Sequence, residues 1–490
     1  MNKRILVSII LLFSILPVAQ LFAQTERQLT LEESIAIAKE NSPLARAAKY
    51  SLVASKWRYK SFKADLLPSL VASGDVPNYS FGQRTIVTEN GTQFVDIHQS
   101  DANLRLSVNQ SILPTGGALS LSSGLSRLGI FAGEDNYGWQ STPIEIGLTQ
   151  PLFQFNSLKW RNRTEPLRYK IAQKQFVEDL EDLAYTVTQS FFDVLLAKIN
   201  VEVSEFNVAV NDSIYNISKG RFQVGNIAEN ELLQSELGFR NAEASLTTAK
   251  LNYQRTVENF KGLLGLNDDE VISIISPKEA PEIKLDVMKA QELARENNSR
   301  SLQFQLSEIQ ANQEYERAKK ESGFTASIQA SYGLNQVAED FDKLYENPAN
   351  RQFFTVGFQI PIFNWGKQVA EIKSARNVQQ ETANTIEYQR LQFELDVRST
   401  VREFGLLKQQ VDLAAVSNDI GERRYDVSKN RYLIGKIDIT NLFIAQNEKD
   451  SARRNYIQAL RNYWTGFYNL RRLTLYDFEK DEPITYEIEY

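Results

Sequence analysis

The chain has 490 residues, 42% hydrophobic and 24% charged, with one histidine, no cysteine and a formal net charge of −6. This composition excludes a polytopic helical membrane protein, and the cysteine count excludes thiolate metal sites, disulfides and cysteine nucleophiles. His98 stands alone, so sites needing two histidines are excluded too, and the mild acidity argues against nucleic acid as a partner.

Lys3 and Arg4 precede an apolar stretch from Ile5 to Ala23, and Phe22-Ala23-Gln24 offers a small residue at the cleavage position. Residues 1–23 therefore read as a secretory signal peptide. No cysteine follows to carry a lipid anchor. Beyond Ala23 no run approaches the ~20 apolar residues of a membrane helix, so any membrane crossing must be made by strands.

The remainder is one unit written twice. Leu29–Asn41 matches Leu285–Asn297. At one constant spacing, Gly147–Phe153 matches Gly357–Phe363, Arg221-Phe-Gln-Val-Gly225 matches Arg431-Tyr-Leu-Ile-Gly435, and Tyr253 matches Tyr463. The first repeat, 24–284, opens with helix 30–66. Thr30 and Glu33 form a capping box, Asn41-Ser42-Pro43 breaks the chain, and Ser42 and Pro43 start a second helical run.

Strands and an insertion fill 68–153. Asn103–Asn109, Ala118–Ser122 and Ile144–Thr149 alternate apolar with polar residues, the pattern of a strand with one wet face. Between 77 and 142 the first copy is longer than the second by about 46 residues. Thr88-Glu-Asn-Gly-Thr92 signals a hairpin turn, and Leu113-Pro-Thr-Gly-Gly117 a second. As hairpins they give the first repeat four strands against two in the second; otherwise the insertion is an outside loop or a cap.

A long helix pair follows over 156–266, free of proline after Pro166, with Phe176, Leu180, Leu183, Val187, Phe191 and Val194 recurring at three and four. The second repeat, 285–476, has the same order: opening helix 286–321, strands 324–362 and long helix pair 364–475. Its stripe is Phe393, Val397, Val401, Phe404, Leu407 and Val411, again at coiled-coil spacing. The first helix of each pair has ~60 residues, about 90 Å. Glu178-Asp-Leu-Glu-Asp182 reads as a solvated face near a helix start. The acidic tail 477–490 reads as surface, with Tyr486–Tyr490 able to pair as an edge strand. No nucleophile, acid–base pair or metal cluster emerges, so the reading is neither an enzyme nor a cofactor binder.

So few strands cannot close a barrel alone, and open edges are not tolerated in lipid, so several copies must pool their strands. In the order of Leu67-Pro-Ser69, Gln150-Pro-Leu-Phe153, the long helices and the paired Arg-aromatic-x-aliphatic-Gly turns, duplicated, the chain resembles the TolC-like outer-membrane efflux protein family. The resemblance implies a mixed α+β membrane protein: a homotrimer whose long α-helical coiled-coil barrel joins a transmembrane β-barrel. It implies a passive exit duct of a tripartite efflux or type I secretion system, in the outer membrane of a Gram-negative bacterium and extending into the periplasm. The implied partners are a periplasmic adapter (membrane fusion) protein, an inner-membrane pump of the RND, ABC or a similar class, and outer-membrane lipid. It further implies that the turn residues Arg221, Val224, Gly225, Arg431, Ile434 and Gly435 contact the adapter, against the plainer reading that they only make turns.

Similar tunnels carry an acidic constriction at positions matching Asn441 and Ile444, and here neither is acidic. Tyr432 with Ile444 would form a more apolar constriction, with Glu231 and Gln234 supplying polarity. With four strands in the first repeat, a trimer would close 18 strands where the family usually has 12. The competing reading is a secreted coiled-coil scaffold or adhesin stalk without a pore.

Overall fold

Thr30 accepts from the backbone N–H of Glu33 while the Glu33 carboxylate takes the Thr30 N–H, and this capping box starts α1 (Leu31–Asn41). Ser42 closes α1, and its hydroxyl accepts from Leu44 N in the first turn of α2 (Pro43–Asp65). The computed structural model describes residues 27–88, 91–131, 136–267, 269–277 and 280–486. The signal peptide read at 1–23, the centre of the first hairpin turn and the last four residues of the tail lie outside the described residues.

Before α1 lies β1 (Arg27–Leu29). After α2 come β2 (Ser69–Thr88), β3 (Gly91–Ile112), β4 (Gly117–Ile130) and β5 (Asn136–Leu152), then α3 (Ser157–Gln223) and α4 (Glu229–Leu264). The second half runs β6 (Ile272–Ile274), α5 (Val287–Asn297), α6 (Ser299–Glu321), β7 (Thr325–Ala338), β8 (Ala349–Gln359), α7 (Lys367–Leu433) and α8 (Ile439–Thr474). The short β9 (Tyr476–Asp477) and β10 (Glu482–Pro483) follow. The duplication is written into the helix lengths. α1 and α2 have 11 and 23 residues, as do α5 and α6; α3 and α4 have 67 and 36, as do α7 and α8. At 1.5 Å per residue each 67-residue helix is about 100 Å long. No described helix is both long and apolar enough to cross a membrane.

Contacts divide the chain into two units. The first comprises Met1–Ala47, Leu180–Lys284 and Arg402–Arg472. Its core is the apolar stripe of the helices: Leu183, Val187 and Phe191 of α3 and Phe404 of α7 are buried, with Phe260, Leu460 and Tyr463 from the shorter helices. The rings of Phe191 and Phe260 stand 6.2 Å apart, and those of Phe404 and Tyr463 5.1 Å. β1 pairs in parallel with β6 in the same unit.

The acidic run 178–182 corrects the reading of it as a solvated face. Glu181 has no exposed surface; its carboxylate accepts from Lys39 Nζ at 2.8 Å and Arg471 Nε at 2.9 Å. Burial alone would raise that carboxyl, but the two cations and their hydrogen bonds outweigh it and hold it below the usual range. Within the second unit, Glu178 accepts from Ser299 N at 2.5 Å and Ser299 Oγ at 2.8 Å at the start of α6. Burial raises its carboxyl, partly offset by those donors. Only Asp182 is exposed as expected, and it pairs with Arg472 at 2.7 Å.

The second unit comprises Ala48–Asp179, Leu285–Val401 and Leu473–Tyr490. Its main element is one antiparallel sheet in the order β2-β3-β4-β5-β7-β8, four strands from the first half and two from the second. In one chain the sheet is open, with β2 and β8 at its edges. Directly paired residues share a face. Leu70 pairs with Val108, Val108 with Leu121, Leu121 with Ile146, Ile146 with Tyr332; farther on, Ala330 pairs with Phe354. That face is apolar and bare: Leu70, Leu104, Phe354 and Phe358 are 58–71% exposed. The opposite face carries Ser73, Arg105, Ser122, Glu145, Gln329 and Thr355. The acidic tail starts inside the fold, since Asp477 is buried and accepts from Glu479 N and Lys480 N.

Candidate functional site: the paired helical turns

Two turns link the long helices to the short ones, one between α3 and α4 and one between α7 and α8. In the first, Asn226 N donates to Arg221 O and Gly225 N to Phe222 O, both at 2.9 Å. In the second, Lys436 N donates to Arg431 O and Gly435 N to Tyr432 O, also at 2.9 Å. This is the Schellman arrangement, and it explains the spacing of the repeated motif: the arginine carbonyl is closed by the residue after the glycine. Gly225 and Gly435 stand at φ 73° and 72°, where a Cβ is strained, although nothing packs within 4 Å of either. The arginine side chains sit at helix C-termini, where positive charge is favoured.

The turns lie side by side. Arg221, Glu231, Tyr432, Gly435, Lys436 and Asp438 line a common hollow of about 330 Å³. The Arg221 guanidinium lies 5.5 Å from the Tyr432 ring centroid. Val224 and Ile434, one per turn, are 69% and 66% exposed. Lys436 and Asp438 were missed from sequence. Their only signal is the charge pattern directly after Gly435, which an aromatic-glycine motif does not capture.

The residues read from sequence as a candidate constriction separate. Tyr432 is buried in a cluster with Ile214, Tyr425, Ile439 and Leu442, so it joins α3 to α7 and α8. Ile444 is exposed and borders an apolar groove with Leu413 and Ala414. Asn441 is exposed, and its backbone N and side-chain Nδ2 both donate to Asp438 Oδ1, at 2.8 and 3.0 Å, as part of the α8 cap. Glu231 joins the hollow, while Gln234 is exposed on α4 outside it.

Above the turns a second polar cluster ties α3 to α8. Asn207 Nδ2 donates to Asp450 Oδ2 at 2.9 Å, and Gln446 Nε2 donates to Asn207 Oδ1 at 2.5 Å. Lys449 lies over the rings of Phe206 and Tyr425, at 4.1 and 4.4 Å. Burial, with Asp450 and Asp426 nearby, pushes the Tyr425 phenol up to about 12. No group of histidine, aspartate or glutamate able to hold a metal occurs among the described residues.

A family model described as "Outer membrane efflux protein" matches residues 35–266 and 291–474, most of both halves. The chain belongs to the outer membrane efflux protein family. It is accordingly an outer-membrane channel protein of a Gram-negative bacterium, extending into the periplasm and serving efflux. The fold agrees. The Campylobacter jejuni CmeC outer membrane channel superposes with a TM-score of 0.66 at 16% identity, over 94% of this chain and 87% of that one. The outer membrane protein VceC from Vibrio cholerae gives 0.63 at 13% identity, over 93% and 97%. The open state of the Neisseria gonorrhoeae MtrE outer membrane channel gives 0.58 at 15% identity, over 94% and 91%. No curated protein matches the sequence significantly.

Proposed function

We propose that this efflux protein works as a homotrimeric passive duct, fed by an inner-membrane pump through a periplasmic adapter. The observation that carries the reading is the sheet: one face bare and apolar, the other polar, and both edges open. Such a sheet is stable in lipid only when copies pool their strands, with the apolar face outward and the polar face around water. A scaffold without a pore leaves that apolar face unexplained. Exposed residues on α7 favour the same assembly. Leu406, Leu413, Ile420 and Val427 repeat every seven residues on its bare side, a coiled-coil seam that further helices would cover. Being a channel, the protein performs no chemistry on its cargo.

The paired turns are the proposed adapter site, with Val224 and Ile434 as apolar knobs and Gly225 and Gly435 allowing close backbone approach. Arg221, Glu231 and Arg431 would set the charge around them. The constriction, in this reading, takes its polarity from Glu231 and Gln234 and its apolar part from Ile444, with Asn441 beside the α8 cap and Tyr432 supporting from the core. The test is the double variant Val224→Asp/Ile434→Asp. It should trimerise and conduct ions in a planar bilayer as before, yet fail to co-purify adapter and pump. Undiminished capture of the adapter would remove these turns from the docking site.

A further inference from the structure

The additional hairpin of the first half decides how wide the barrel is. An insertion lying outside the membrane would have no reason to share the lipid-facing pattern of the other strands, and here it does. On β2 and β3, Leu70 and Val108 continue the apolar face in register with Leu121 of β4 and Ile146 of β5. On the other face Ser73 pairs with Arg105, and Asp75 accepts from Asn103 Nδ2 at 3.2 Å, a polar surface suited to water. The shortest of the six strands, β8, has 11 residues, and the others have 14 to 22. A tilted strand needs ~9–11 residues to cross the hydrocarbon core, so none is too short.

A chain of rings carries the same message. His98 of β3 contacts Tyr79 of β2 at 5.6 Å and Phe131 at 5.2 Å; Phe131 contacts Tyr137 of β5 at 5.9 Å. On β5, Trp139 continues the line to Phe341 at 5.1 Å, in the connection to β8. Transmembrane barrels carry such an aromatic girdle at the membrane interface. Here it runs from the added strands to the shared ones, with the Arg127 guanidinium 4.4 and 5.4 Å from the Tyr137 and Trp139 ring centroids joining its two stretches.

We infer that all six strands span the outer membrane, so that three copies close an 18-stranded barrel by pairing β8 of one copy with β2 of the next. The inference rests on the trimeric reading above and goes beyond it. Neighbouring strands alternate in direction, so the two free edges meet antiparallel, as closure requires. With strands ~4.8 Å apart and tilted ~40°, 18 strands give a backbone diameter of about 36 Å, against about 24 Å for 12. The outer mouth is then wider than the family's usual barrel.

The absence of native cysteine makes the test clean. Thr355→Cys in β8 is combined in turn with Ser69→Cys, Val71→Cys or Ser73→Cys in β2, and separately with Ser120→Cys or Ser122→Cys in β4. All but Val71 replace a small polar residue on the water-facing side. Full-length protein in outer membranes is oxidised and run on non-reducing gels. The expected result is a covalent trimer from at least one β8–β2 pair and none from β8–β4. Linking of β8 to β4 alone overturns the inference and leaves the trimer intact, with β2 and β3 outside the barrel. A chain that links through neither edge and sediments as a monomer sinks the trimeric reading as well. A strand count by electron cryomicroscopy in nanodiscs gives an independent readout: 18 supports the inference, 12 overturns it.

Discussion

Replacing Glu181 by Gln removes one charge from a site where three meet without solvent on the acid. Its carboxylate binds Lys39 Nζ and Arg471 Nε at 2.8 and 2.9 Å, and the cations' side chains are only 19% and 15% exposed. Removing one partner of a buried ion pair costs about 3–5 kcal/mol, because the remaining charges stay buried without compensation. The residual exposure of Lys39 and Arg471 places this case near 3 kcal/mol. A chain with two contact units need not unfold in one step, so the measurement is local: hydrogen exchange of α3 around residue 181 and of the end of α8. A loss of about 3 kcal/mol reads as roughly 150-fold weaker protection. The triple variant Lys39→Met/Glu181→Leu/Arg471→Met should recover most of it, since apolar replacement of a whole buried network is near neutral. The pH dependence has a definite sign. A carboxyl held low when folded stabilises fully above its unfolded value, and that stability is lost as pH falls through the folded one. Protection within threefold of wild type for Glu181→Gln, or a triple variant as weak as the single, would refute the reasoning.

Gly435→Ala meets no neighbour but must hold a positive φ, so about 1–2 kcal/mol should be lost locally, read as faster exchange at the α7–α8 turn. Gly225→Ala should behave alike. Tyr425→Phe should leave stability at neutral pH unchanged or higher, because the buried hydroxyl makes no hydrogen bond with the described residues. It should also flatten the alkaline limb of a melting-temperature profile. The phenol's raised value stabilises fully below pH 10 and that contribution is lost as pH rises through about 12. The adapter-capture and cysteine-pair experiments above complete the set.

Local grammar made the strands and caps legible. The capping box at Thr30 and Glu33 needs four consecutive residues, and the period-two strands need six or seven, so both can be read directly. The glycine turns could be read for the same reason, since their hydrogen bonds close within six residues. Glu181 could not. Its partners lie 142 and 290 residues away, and an acidic run on a helix looks the same whether water or cations face it. The burial of Tyr432 could not be read for a related reason: which side of α7 is covered depends on Ile214 of α3 as well as Leu442 of α8. Asn207 and Asp450, 243 residues apart, give no spacing signal at all.

The two turns share a backbone, but the helices they start are not equally fastened. α8 begins on Asp438, whose carboxylate holds the Asn441 N–H, whereas α4 begins on Ala228, which offers no side-chain cap. A missing cap costs about 1 kcal/mol at a helix start, so α4 frays first. Gene duplication has thus produced two corners of equal shape and unequal stiffness. Under equal strain the Ala228 corner frays before the Asp438 one, so the two copies differ in local stability although they share a backbone.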